Sequence, residues 1–364
     1  MRASLRRTAA ALLLLLASTF ALALELIVLD VGQGLSVVIR SPSGQSVLYD
    51  AGPGSANVAS QLRELGVEAL DLVIASHAHA DHIGGMEEVI RAFEPRLYMD
   101  NAIPHSTLTY ERTLRAVEAV GSALLEPVRR TIRLGDVRLE ILPPTGKPEL
   151  GQNNNSIGVR VSYGDFHALL PGDAEGPQWE WWREQHPDLL APVDLHVASH
   201  HGSRAGDTGD AIGLLTPHTV AISVGTDNPY GHPHDAAMAL YGTAYIVRTD
   251  TDGRVRVRVE PEGGVLVEAE RNTGETLAAG PRQPAADRTV NTGSSCIDLN
   301  RAQAPELESI RHIGPERAGS IVALRAKAPF ATVADLVRID GIGAARIAEI
   351  EEQGVACVAE VSDP

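Results

Sequence analysis

Between Ser76 and Ile83 the chain reads His77-Ala78-His79-Ala80-Asp81-His82, three imidazoles and a carboxylate within six consecutive residues. Neutral imidazole nitrogens and carboxylate oxygens are ligands for divalent ions of intermediate softness, and this many on one turn can serve two neighbouring ions. Further candidates follow downstream in short polar strings: Pro171-Gly172-Asp173, Ser199-His200-His201-Gly202 and Gly231-His232-Pro233-His234. Each lies beyond an apolar run of strand character, so the strings mark strand ends expected to converge on one rim.

The elements that must carry these groups alternate along the chain. ELIVLD, SVVIR and SVLYD read as strands separated by Gly-rich turns, NVASQLRELG as a helix, and DLVIAS as a buried strand running straight into the His-rich turn. GGMEEVIRAF and TLRAVEAVGSALL are helical in pattern, and VRRTIRLGDVRLEIL and SIGVRVSYGDFHALL read as paired strands. WEWWREQH, with Trp179, Trp181 and Trp182, and HDAAMALYG are helical, and VDLHVAS, TVAISVG, AYIVRTD and RVRVRVEPEGGVLVEAE supply the remaining strands. Strand-rich halves interrupted by helices predict an α+β unit of two packed sheets with helices outside. Asp30, Asp207, Asp210, Asp250 and Asp252 read as turn residues, Asp30 with a functional role equally open.

Residues 271–295 lose periodicity and are rich in Gly, Pro, Thr, Ser and Asn, which reads as a flexible linker. From 296 to 360 the pattern is wholly helical, with no convincing strand. This tail contains an internal echo, since Ile313-Gly314-Pro315-Glu316-Arg317-Ala318 recurs as Ile342-Gly343-Ala344-Ala345-Arg346-Ile347. Cys296 and Cys357, the two cysteines of the chain, bracket it. They read either as a disulfide or as two buried thiols.

The opening stretch places Arg2, Arg6 and Arg7 before an apolar run and Ala21-Leu22-Ala23, the order of a secretory signal over residues 1–23. A membrane anchor is the alternative, for which the run is short. The formal charge is 31 minus 47, or −16, so long-range attraction to polyanions is not part of the net balance. Any polyanion must be held locally, by ions or by oriented backbone amides. With 44% apolar residues and 34 Gly plus 22 Pro, the composition suits a turn-rich globular enzyme rather than a coiled coil or a disordered chain.

In order, LDVGQG, LYDAG, SHAHADHIGG, NNNS, LLPGDAE, SHHGS and SVGTDNPYGHPH resemble the metallo-β-lactamase fold family, and residues 24–270 fit it. The resemblance is closer still to the extracellular hydrolase domain of ComEC-type DNA-uptake channels. It implies an αββα sandwich and one or two divalent ions, Zn or Mn. It also implies that His77 and His79 hold one ion, Asp81 and His82 the second, and Asp173 both, with His200 completing the second set and His201 the less favoured choice. Asp50 would orient ligands. The family's further histidine should fall within Asn153 to Ser156, where there is none, leaving Asn154 as a weaker possible ligand. Paired cations lower the pKa of a shared water and stabilise attacking and leaving oxygens, which suits phosphodiester hydrolysis, with Asp81 in the reacting centre. His232 is either a phosphate contact or general acid, or a structural ring beside a proline.

The tail resembles the paired helix-hairpin-helix module of ComEA-type DNA receptors. Such a hairpin leaves backbone amides free at the positive end of a helix dipole, ready for phosphate. Gly314 with Arg317, and Gly341, Gly343 and Arg346, would serve the two hairpins, the first of which has His312 in place of its leading glycine. Seven basic against ten acidic residues between 296 and 360 predict weak, salt-sensitive and sequence-independent binding of DNA. A protein-docking module is the alternative. The whole chain therefore reads as an exported, metal-dependent DNA phosphodiesterase serving DNA uptake or scavenging, with an uptake channel as a further partner. A different phosphoesterase, or a non-catalytic DNA receptor, remains open.

Overall fold

The first strand, β1 (Leu24–Val28), shows the logic of the whole architecture. Side chains alternate across a strand, so Leu26 and Val28 enter one apolar cluster and Ile27 enters another. A sheet covered on both faces must be apolar on both, and this one is. The computed structural model describes residues 23–271, 277–279, 297–302, 307, 310–325, 327–330, 332–353 and 355–358. Residues 1–22 of the expected signal over 1–23 lie outside them. Among the described residues, no helix is long and apolar enough to cross a membrane.

The first sheet continues through β2 (Val37–Arg40), β3 (Ser46–Tyr49), β4 (Leu72–Ile74), β5 (Leu97–Met99) and β6 (Ala123–Leu124). The second holds β7 (Thr131–Leu134), β8 (Val137–Leu142), β9 (Gly158–Tyr163), β10 (Phe166–Leu170), β11 (Leu195–Val197), β12 (Thr219–Ile222) and β13 (Tyr245–Arg248). The chain then returns to the first sheet as β14 (Val255–Val259), β15 (Val265–Ala269) and β16 (Leu277–Ala279). The orders are β16-β15-β14-β1-β2-β3-β4-β5-β6 and β13-β12-β11-β10-β9-β8-β7. β3, β4 and β5 run parallel, as do β10, β11, β12 and β13.

Between the sheets lie Leu26, Ile39, Tyr49 and Ile74 with Leu139, Ile141, Val159 and Val161. Each such side chain, fully buried, contributes about 1.5–3 kcal/mol relative to exposure. The outer face of the first sheet is covered by α1 (Val58–Glu64), α2 (Ala80–Ile83), α3 (Met86–Phe93) and α4 (Leu108–Val120). In α3 the buried residues Met86, Val89, Ile90 and Phe93 fall on one stripe at helical spacing. α4 starts where the Thr107 hydroxyl accepts from the Tyr110 amide and stops at Gly121, whose φ of 75° ends the helix. The other sheet is covered by α5 (Gly176–Gln185), α6 (Gly209–Leu215) and α7 (Asp235–Leu240). In α5, Trp179 and Trp182 are buried and Trp181 partly so, which makes the tryptophans chiefly core. A last short helix, α8 (Thr249–Asp252), joins β13 to β14.

Two compact units divide the chain at Met1–Pro281 and Arg282–Pro364. The first runs past the expected limit at 270, because Leu277–Ala279 of the expected linker pair antiparallel with β15. The remainder of that linker is outside the described residues. In the second unit, α9 (Pro315–Arg325), a 3-10 turn Val333–Arg338 and α10 (Ala344–Gln353) close over Leu299, Ile310, Ile313, Ile321, Leu336 and Ile350. It is not wholly helical. β17 (Ile297–Asp298) and β18 (Ala356–Cys357) pair in parallel and tie its two ends together. No free cysteine occurs among the described residues, and Cys296, the expected partner of Cys357, lies outside them.

Candidate metal centre

The parallel strands aim their carboxyl ends at one rim, and the polar strings begin there. Asp50 follows β3, His77 to His82 follow β4, Asp173 follows β10, and His200 and His201 follow β11. The turn carrying Asp81 is held by close backbone packing. A Cβ at Gly34 would stand 2.3 Å from the Asp81 carbonyl oxygen, so only glycine fits in the GQG loop, while the Leu35 amide donates to that carbonyl at 3.1 Å. The Ala51 amide donates to the His82 carbonyl at 2.7 Å, and the Ile157 amide to the Ser76 carbonyl at 2.9 Å, linking the turn to both sheets.

One ligand atom each from Asp81, His82, Asp173 and His201 lies within 4.8 Å of the other three. His82 Nε2 stands 3.2 Å from Asp173 Oδ1, and His201 Nε2 stands 3.7 Å from the same oxygen and 3.4 Å from Asp81 Oδ2. On the far side of that carboxylate, His77 Nε2 and His200 Nε2 each stand 3.8 Å from Asp173 Oδ2. His79 adjoins this side, its Nδ1 3.0 Å from His77 Nε2. It is His201, the less favoured choice, and not the expected His200, that lies with Asp81 and His82. His200 and His201 both have positive φ, 49° and 56°, and this left-handed turn sends the two rings to opposite oxygens of Asp173.

Outer contacts fix these rings. His82 donates from Nδ1 to Asp50 Oδ2 at 2.8 Å, and Asp50 also accepts from the Ser76 amide and hydroxyl at 2.7 Å each. His201 donates from Nδ1 to the Ser223 carbonyl at 2.9 Å. Both rings therefore turn Nε2 inward, the arrangement that orients metal-ligating histidines. Asp207, a turn residue by sequence, is buried and accepts from the Ser199 amide, His196 and the Tyr241 hydroxyl, holding the base of the His200-His201 turn.

Three of these inward atoms, His82 Nε2, His201 Nε2 and Asp173 Oδ1, are buried and have no hydrogen-bond partner. Leaving such groups unpaired costs about 1–3 kcal/mol each, so their convergence is what an ion-binding cluster requires. The electrostatics agree. Burial opposes charge on His82, yet Asp173, Asp50 and Asp81 raise its pKa well above that of a free imidazole. Burial opposes ionisation of Asp173, yet His82 and His201 hold it well below the usual carboxylate range. Positive charge is favoured at the centre of this group. Burial, reinforced by His82, lowers the His77 pKa and keeps that ring a neutral donor. The nitrogen and oxygen set fits a divalent ion.

Asn154 does not present a ligand. Its amide donates to the Leu150 carbonyl and to Glu175 Oε2, and its oxygen accepts from the Gln178 amide. Gln152 and Asn155 are likewise occupied with the surrounding backbone. Glu175, two residues beyond Asp173, went unnoticed in the sequence. Its signal was the acidic end of the PGDAE string. His232 stands at the mouth, its ring centre 5.7 Å from that of His200 and 6.4 Å from that of His201. Asn228 grips its amide and carbonyl, and the Tyr230 ring stacks on it. Burial, with His201, His200 and His234 nearby, lowers its pKa to about 4, so at neutral pH its ring is an uncharged hydrogen-bonding group rather than a ready acid. Asp30 is structural, accepting from Arg271 at 2.6 Å and from the Gly32 amide.

In the second unit, Gly341 has a φ of 74°, and His312, at the matching place in the first hairpin, has 65°. A non-glycine residue pays to sit there, which marks the first hairpin as the less ideal of the pair. Arg317 donates to the His312 and Asp340 carbonyls and Arg346 to the Gly341 carbonyl, so both arginines brace the hairpins they were expected to serve. Gly314 and Gly343 lie immediately before α9 and α10.

Comparison with known proteins places these features. Residues 29–225 match the metallo-beta-lactamase superfamily, and residues 293–353 match a helix-hairpin-helix motif. ComE operon protein 3 of Bacillus subtilis is 27% identical over 269 residues, 66% of this chain and 34% of that protein. Competence protein ComA of Neisseria gonorrhoeae is 27% identical over 62% of this chain and 31% of its own length. A deoxyribonuclease of Thioalkalivibrio sp. is 30% identical over 55% of this chain and 59% of its own length. The chain thus spans about a third of the first two relatives. With the αββα sandwich, the ligand-bearing rim and a match across more than half its length, the chain belongs to the metallo-beta-lactamase superfamily.

Proposed function

We propose that the protein is an exported, metal-dependent phosphodiesterase that cleaves DNA, and that its helix-hairpin-helix unit holds the DNA backbone. The observation that carries this reading is the convergence of buried, unpartnered donors on Asp173 in a chain that also has helical hairpins. Asp81, His82 and His201 hold one ion, His77 and His79 the other, and Asp173 faces both. Ions bound there supply Lewis acidity, activating water and offsetting charge on the phosphate. Asp50 and the Ser223 carbonyl keep the His82 and His201 rings turned inward. His232 donates a hydrogen bond to a phosphate oxygen at the mouth.

The hairpins contribute backbone amides at the starts of α9 and α10. Because the unit is acidic overall, few phosphates are neutralised and attachment is loose. Tethering loose attachment to the hydrolytic unit raises the local concentration of substrate. Competence and deoxyribonuclease relatives support a setting in DNA uptake or scavenging, with a membrane uptake channel as partner.

The test is incubation of the purified chain, lacking residues 1–23, with labelled single- and double-stranded DNA and Mn, Zn or Mg, beside a variant with Asp81 and His82 changed to Ala. Metal-dependent cleavage that vanishes in the variant is expected. Turnover of small phosphoesters with none of DNA would select another phosphoesterase. DNA binding without turnover in any metal would identify a receptor.

A further inference from the structure

We infer that His200 supplies the third imidazole of the ion held by His77 and His79, and that Glu175 positions it. This rests on the two-ion reading above, and it answers a deficit the sequence exposes: the NNNS string stands where another histidine was expected and offers no imidazole. The structure uses that string differently. Asn153 donates to Glu175 Oε1 at 3.1 Å and Asn154 donates to Glu175 Oε2 at 3.0 Å. Glu175 Oε1 in turn lies 3.1 Å from His200 Nδ1. Glu175 Oε1 stands at ion-pair distance from His200 Nδ1 but outside hydrogen-bond geometry, and a small rotation that closed this contact would fix Nε2 as the ligand, as Asp50 does for His82.

His200 Nε2 faces the correct oxygen for this role. It stands 3.8 Å from Asp173 Oδ2, the distance His77 Nε2 keeps from that same oxygen. His82 and His201 address Oδ1 instead. Were Asp173 to give one oxygen to each of two ions, the imidazoles nearest the same oxygen would fall to the same ion. The paired left-handed residues of the SHHG turn make this division possible from adjacent positions. An asparagine pair, a glutamate and a histidine from a different strand end thereby replace one missing residue.

Equilibrium dialysis of the full chain against Mn or Co, followed by elemental analysis, is expected to give two ions in the wild type and one in His200→Ala. In the Co form, His200→Ala and His77→Ala should remove the same visible absorption band, and His201→Ala a different one. Combining His77→Ala with His200→Ala should cost no further ion. Glu175→Gln should weaken the affected ion by about 10–100-fold, with partial rescue in Glu175→Asp. The metal-free melting temperature of His200→Ala should match that of the metal-free wild type, since His200 is partly exposed. Retention of two ions at wild-type affinity by His200→Ala would overturn the assignment, as would a wild type that holds one ion while still cleaving DNA. The latter leaves the nuclease reading standing. A wild type that binds no ion would overturn both.

Discussion

In the function proposed above, the rim of the sandwich and the hairpins of the second unit both meet negatively charged oxygen, the rim through bound ions and the hairpins directly. At the rim the groups are side chains, most of them buried and drawn from both sheets, and the His82 and His201 rings are each fixed by a second contact. In the hairpins the groups are backbone amides at helix starts, and the arginines nearby are spent on carbonyls of the turns. Chemistry on a phosphate needs a dry, rigid field assembled from distant residues, whereas holding a backbone of any sequence needs only a repeated local turn. The two units should therefore fail separately.

The sharpest break is Asp81→Ala with His82→Ala. Cleavage should fall by at least about a thousandfold, equivalent to about 4 kcal/mol, while the isotherm for DNA retention stays where it was. If retention falls equally, the division of labour is wrong. Next in size is the expected Cys296–Cys357 bond, whose reduction should cost the second unit about 3–4 kcal/mol by the chain-entropy estimate, read from denaturant unfolding. Mass spectrometry of unreduced protein checks the bond itself, and two alkylated thiols would remove the prediction. Asp50→Asn should then weaken ion binding by about 10–100-fold with the sandwich still folded, measured by calorimetric titration. Smallest is Gly341→Ala, which forces a side chain into positive φ and against Arg317. It should weaken DNA retention about tenfold, in KM rather than kcat, and flatten the salt dependence.

The comparison also marks what the sequence makes legible. Ligand types grouped as His77 to His82 are local, and so are the Gly-Ile-Gly hairpin and the alternating apolar strands, so all of these were readable from short windows. The choice between His200 and His201 was not. It depends on a backbone turn with two positive φ values, and no residue type there announces it, because neither position is glycine. The roles of Asn154, Glu175 and Asp207 were hidden for a related reason. They act through other side chains, and contacts of that kind join residues whose separation in sequence carries no periodic signal. The strand at Leu277–Ala279 and the β17–β18 clip were missed because three- and two-residue strands are too short to show alternation.

Asp50 and His82 belong to the first sheet and its turns, Asp173 and His201 to the second. Whatever cation settles among them therefore rivets the two halves of the sandwich across their open edge, so that loading should raise the melting temperature in step with free ion concentration.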